Sequence, residues 1–114
     1  MKRIAVVLAG LSLSAAVLAA DTAPADEGLA AVQALGRVNG LALACQQPAL
    51  SSRARNAVIT GAPKTRGYGE AFEAATSATF LEQGKGGSCP DAATLNQQLV
   101  AAEARLKAAF PAAQ

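Results

Sequence analysis

The stretch Leu29 to Cys45, LAAVQALGRVNGLALAC, constrains the fold more than any other part of the chain. It is long enough for four to five helical turns. On a wheel of 100° per residue, only Gln33, Arg37 and Asn39 interrupt an apolar or small surface. A surface helix keeps a polar half, so a helix apolar nearly all round is expected at the centre of its domain. Gly36, Gly40 and Ala44 recur every four residues, forming a groove of small side chains where another helix can approach closely. Two glycines in a helix interior weaken it by ~1 kcal/mol each relative to Ala, and close packing is the expected compensation. In a membrane this spacing would suggest dimerisation. Here Arg37 and Asn39 lie between the small residues, which favours packing within the chain.

Residues 1–20 read as a signal peptide. Lys2 and Arg3 precede an apolar run from Ile4 to Leu18, and Val17-Leu18-Ala19-Ala20 supplies small residues for cleavage after Ala19 or Ala20. The run is shorter than the ~20 residues of a spanning helix, so export is expected rather than stable membrane insertion. The expected address is a bacterial periplasm. Removing the leader removes Lys2 and Arg3, leaving eight basic residues against all eight acidic ones, a net charge of zero. No overall field then attracts nucleic acid or an anionic membrane.

About ninety-four residues remain, enough for one small domain. Ala is abundant, β-branched and aromatic residues are sparse, and Trp is absent, which favours helix over sheet. A buried Leu contributes ~1.5–3 kcal/mol and an Ala methyl much less, so this core needs support from elsewhere. Residues 21–28 are expected to form a flexible lead-in. The domain spans 29–110 and residues 111–114 form a tail. Helices are expected at about 27–46, 48–60, 66–83 and 90–109. Pro48 opens the second, whose apolar stripe is Leu50, Ala54, Ala57 and Val58, and Gly61 and Pro63 close it. Thr65 caps the third, which presents Tyr68, Phe72, Ala75, Thr76 and Thr79 on one face. Phe80 lies at the edge of that face and Leu81 off it, suggesting neighbours on two sides of that helix. In the fourth, Leu95, Leu99, Ala102, Leu106 and Phe110 fall within an arc of about 80°. Glu103 and Lys107 are spaced for an i,i+4 pair. The expected fold is all-α, a small four-helix bundle-like domain.

Two cysteines in an exported chain read as a disulfide. Between Cys45 and Cys89 lie 43 residues; closing such a loop is worth ~4 kcal/mol. The functional alternative, a redox-active pair, usually needs C-x-x-C proximity, and intermolecular pairing is a minor alternative. Asn39 falls within the apolar arc of Val32, Leu35 and Leu43, so its amide must find partners, expected at a neighbouring helix end.

Charge is unevenly laid out. From Gly28 to Gly69 there are five cations, Arg37, Arg53, Arg55, Lys64 and Arg66, and no acid. From Glu70 to Asp91 four acids face Lys85 alone. Either the two halves meet as solvated ion pairs, or the basic segment docks an anionic partner. Arg53, Arg55, Lys64, Arg66 and Tyr68 are the candidate partner surface, because cations, an aromatic and glycines share one connection. The absence of histidine removes Ser-His and Cys-His nucleophile arrangements and the usual periplasmic zinc or copper sites. No haem-attachment motif or phosphate loop is present. Glu70 and Glu73 are one turn apart, with nothing to build a cleft around them. No catalytic residue, metal ligand or cofactor site is expected.

The order of leader, helix ending GLALAC, middle helix, aromatic YGEAFEAAT helix, CP and final amphipathic helix resembles uncharacterised families of small secreted proteobacterial proteins. That resemblance implies a helical, disulfide-linked exported fold. The likeness to helical periplasmic immunity proteins and acid-stress chaperones is architectural. The expected function is a non-catalytic interaction protein (an inhibitor, immunity factor or accessory subunit) acting on another envelope protein. A stress holdase is the alternative, and a small enzyme the less favoured one.

Overall fold

A computed structural model describes residues 23–113, and among these there are helices and no strand. Helix α1 spans Ala23–Ala44, α2 Pro48–Gly61, α3 Arg66–Gly84 and α4 Ala92–Ala109, followed by a 3-10 turn at Pro111–Ala113. The expected leader and its cleavage point lie outside the described residues. None of the described helices is long and apolar enough to cross a membrane.

Local chemistry sets the boundaries. α1 starts at Ala23, so residues 23–28 are helical rather than a flexible lead-in. Pro24 falls in the first turn, where its missing N–H breaks no bond. The Thr65 hydroxyl accepts the Tyr68 N–H at 3.4 Å and so caps α3 as expected. α4 begins two residues later than its sequence suggests. Asp91 is the extended capping residue, and its carboxylate accepts the Thr94 N–H at 2.7 Å. That backbone bond holds the Asp91 carboxyl below the usual carboxylate range. At the end of α2, Ala62 is extended (φ −107°, ψ 151°) because Pro63 follows it.

α1 ends in a Schellman turn. The Gln47 N–H donates to the Ala42 carbonyl at 2.7 Å and Gln46 N–H to that of Leu43 at 3.4 Å. Gln46 takes φ 58°, a left-handed position that costs a residue with a Cβ ~1–2 kcal/mol. Gln46→Gly should therefore raise stability by about 0.5–1 kcal/mol, allowing for its looser unfolded chain. A higher denaturant midpoint with unchanged slope is the expected result; a lower midpoint contradicts it.

α1 packs against all three other helices, as its apolar circumference requires. α2 and α4 cover one side and touch each other, while α3 lies on the other. Gly36 approaches Phe72 and Ala75, and Gly40 approaches Thr76, Thr79 and Phe80, so α1 and α3 run parallel. α3 makes no comparable contact with α2 or α4, and its predicted second neighbour is absent among the described residues. The core is Val32, Leu35, Val38 and Ala42 of α1 against Ala54 of α2 and Leu95, Leu99, Ala102 and Leu106 of α4. Phe72 is the large buried side chain that α3 contributes.

A polar link joins three helices inside this core. The Ser51 hydroxyl donates to Asn39 Oδ1 at 2.6 Å, and Asn39 Nδ2 donates to Thr76 Oγ1 at 3.1 Å. Asn39 thus meets a side chain in the first turn of α2, as expected of a neighbouring helix end, and one in the middle of α3. All three residues are buried, and no buried side-chain polar atom among the described residues lacks a partner. The Cys45–Cys89 disulfide, with a Cα–Cα distance of 5.7 Å, ties the end of α1 to the connection that precedes α4.

Candidate partner-binding surface

Two of the five residues of the expected partner surface, Arg53 and Tyr68, also make contacts within the fold. Arg53 points to α4, where its guanidinium donates to both Glu103 carboxylate oxygens (3.1 and 2.6 Å) and to Asn96 Oδ1 at 3.2 Å. Glu103 pairs here and not with Lys107, and the two parallel N–H donors of the guanidinium fit its carboxylate. Hydrogen bonding to Glu103, with its charge, raises the Arg53 pKa above an already high value. Arg53 thus bridges α2 and α4 at the surface.

Tyr68 is also partly used by the fold. Its ring meets that of Phe110 edge to face, with centroids 5.2 Å apart. Phe110 in turn packs on Gly28, where an added methyl would collide with the ring. This aromatic pair seals one end of the helix cluster, so Tyr68 is half-buried.

Arg55, Lys64 and Arg66 remain. All three are exposed, and none has a carboxylate within ion-pair distance among the described residues. Arg55 lies two residues from Arg53, hence on a different side of α2; Lys64 and Arg66 flank Thr65 at the α3 cap. The sequence alternative, pairing of the basic half with the acids of 70–91, does not occur among the described residues. The two ion pairs present are Arg53–Glu103 and Lys85–Glu82.

Two concavities accompany these groups. A groove of about 250 Å³ between α1 and α4 is lined by Ala34, Arg37, Val38, Gln98 and Arg105. A more apolar one, about 370 Å³, runs between α1 and α3 past Leu43, Thr76, Ser77, Phe80 and Leu81. Both are open to solvent. Sequence reasoning placed Phe80 and Leu81 beside a second neighbour and so missed that they are surface. The signal was their position off the Tyr68–Phe72–Thr76 face. Glu70 and Glu73 are both exposed on α3, and among the described residues no three His, Cys, Asp or Glu gather to hold a metal ion.

No protein-family model, curated protein or solved structure matches the chain.

Proposed function

We propose that this chain is an exported, non-catalytic interaction protein, of the inhibitor, immunity-factor or accessory-subunit kind, that meets an acidic surface of another envelope protein. Its contact region is Arg55 with the α2–α3 connection bearing Lys64 and Arg66. The observation that carries this reading is that Arg55, Lys64 and Arg66, unlike Arg53 and Lys85, are exposed without a carboxylate partner among the described residues; Arg37, Arg105 and Lys107 are likewise unpaired but lie on α1 and α4, away from the α2–α3 connection. Unpaired rim cations steer association and set its salt dependence more than its final affinity. The periplasmic address rests on the leader-like residues 1–20 and on the Cys45–Cys89 disulfide, which persists in an oxidising compartment.

The test is recovery of partners from periplasmic extract on the immobilised mature chain, at low and high salt. The triple variant Arg55→Glu, Lys64→Glu, Arg66→Glu should keep its helical spectrum, since all three side chains are exposed. It should lose partners that the unmodified chain holds in a salt-sensitive manner. An unchanged partner set in the triple variant would sink the proposal.

A further inference from the structure

The central helix places a cation at one of its few polar positions. Between Gly28 and Ala44, Arg37 is the single charged residue, and it is exposed although α1 packs against all three other helices. It opens onto the crease between α1 and α4, where α4 supplies a second exposed arginine, Arg105. Neither has a carboxylate within ion-pair distance among the described residues, and no acid lines the crease. On its far side Arg105 borders another concavity with Glu27, but the two form no ion pair.

Helix direction sets how the two cations stand. Phe110 reaches Gly28, so the end of α4 lies beside the start of α1 and the two helices run antiparallel. Gln98, Ala101, Ala102 and Arg105 share one face of α4, opposite Arg37 and Val38 of α1. Along the crease Arg37 therefore lies between Gln98 and Arg105, roughly one helical turn (~5 Å) from the level of each. The floor between them is apolar: Val38 and Ala102 are buried, and Ala101 is exposed beside them.

We propose that this α1–α4 crease is a binding site for a small organic oxyanion, a carboxylate or phosphate monoester carried on a compact apolar group. Two guanidiniums facing one cavity repel each other, and an oxyanion between them removes that repulsion. Each offers the planar donor fork that matches a carboxylate or phosphate, and the Gln98 amide adds a further donor. A few polar groups around an apolar floor is the usual make-up of a site for a small molecule, and a volume of about 250 Å³ keeps that molecule small. The crease is open to solvent, so binding is weak, sensitive to salt and dependent on both arginines.

Titration of the oxidised mature chain with phenyl phosphate, benzoate and inorganic phosphate at fixed ionic strength, followed by backbone amide shifts, tests this directly. Saturable binding of phenyl phosphate or benzoate is expected, with the shifts centred on residues 34–38 and 98–105; the tighter of the two identifies the anion. Arg37→Gln and Arg105→Gln should each weaken it by about tenfold and keep the helical spectrum, since both side chains are exposed. Ala101→Leu, which raises the floor, should weaken both aromatic probes. Lys107→Gln removes a charge from the same helix but borders a different concavity, beside Glu103, and should leave binding as it was. The inference is overturned if neither aromatic probe saturates, if Lys107→Gln weakens binding as much as Arg105→Gln, or if inorganic phosphate binds as tightly as phenyl phosphate. The triple variant of Arg55, Lys64 and Arg66 should still take up the probe, so failure of this site and failure of the cationic partner contact are separate outcomes.

Discussion

Gly40→Ala is expected to destabilise the domain by about 2 kcal/mol, although it replaces the poorer helix former by the best one. Within an isolated helix the change would gain ~1 kcal/mol. Here the new methyl would lie 2.5 Å from the Thr76 carbonyl oxygen, 2.9 Å from Thr79 Cβ and 3.1 Å from the Phe80 nitrogen. Two of those atoms are backbone, so no rotamer change relieves the contact and α3 must move away as a unit. Overpacking of this kind costs ~1–3 kcal/mol. α3 has no other substantial helix contact to compensate, and the Asn39–Thr76 hydrogen bond is stretched by the same shift. Gly36→Ala acts likewise, with the methyl 2.7 Å from Ala75 Cβ and from the Phe72 carbonyl oxygen. Gly69→Ala is the matched control. It is helical with open space around it, and should gain up to ~1 kcal/mol. Thermal unfolding separates them: the Gly40→Ala midpoint should fall by roughly 10 °C and that of Gly69→Ala should rise. Equal or higher stability for Gly40→Ala would remove close packing as the reason for glycine at this position.

That pair of glycines shows where sequence reasoning succeeds and where it stops. The four-residue spacing of Gly36 and Gly40 announced a close helix contact, because only backbone approach compensates for glycine in a helix. It did not say which helix, since spacing along one element carries no information about the rotation of another. Asn39 gives the same lesson. Its place on the apolar arc required buried partners, yet Ser51 and Thr76 lie 12 and 37 residues away, on two different helices. Boundaries were legible wherever a cap or proline wrote them locally, at Pro48, Thr65 and Gly84. Charge pairing was not. The i,i+4 rule joined Glu103 to Lys107, but Arg53, distant in sequence, offers two parallel donors. For the candidate surface, the sequence found the cations and could not tell the three exposed and unpaired ones from the one that bridges α2 and α4.

The disulfide is expected to carry the second large effect. Removing it, by reduction or by the double substitution Cys45→Ser, Cys89→Ser, should lower stability by about 4 kcal/mol, through the looser unfolded chain that opening a 44-residue separation allows. A domain of this size has ~5–15 kcal/mol in total, so most of a marginal stability is at stake. The core explains the dependence: its fully buried large side chains are Leu35, Leu95, Leu99, Leu106 and Val32, and the rest is largely Ala. The effect should also be uneven. The connection between α3 and α4 is held by the disulfide and by Gln83, whose amide donates to the Gly87 carbonyl at 2.7 Å. Amide exchange in residues 85–91 should therefore accelerate before that of α1, α2 and α4, because Cys89 is exposed and a reductant reaches it first. A thermal midpoint lower by roughly 20 °C on reduction is the expected reading; a drop of only a few degrees would mean that helix packing alone sustains the fold. The same titration decides the stress-chaperone alternative. If loosening exposes enough apolar surface to brighten a hydrophobic dye and to slow aggregation of a client, the holdase reading gains ground. If the reduced chain stays dark to the dye, it fails, and the disulfide serves to stiffen a scaffold whose work is done by its surface.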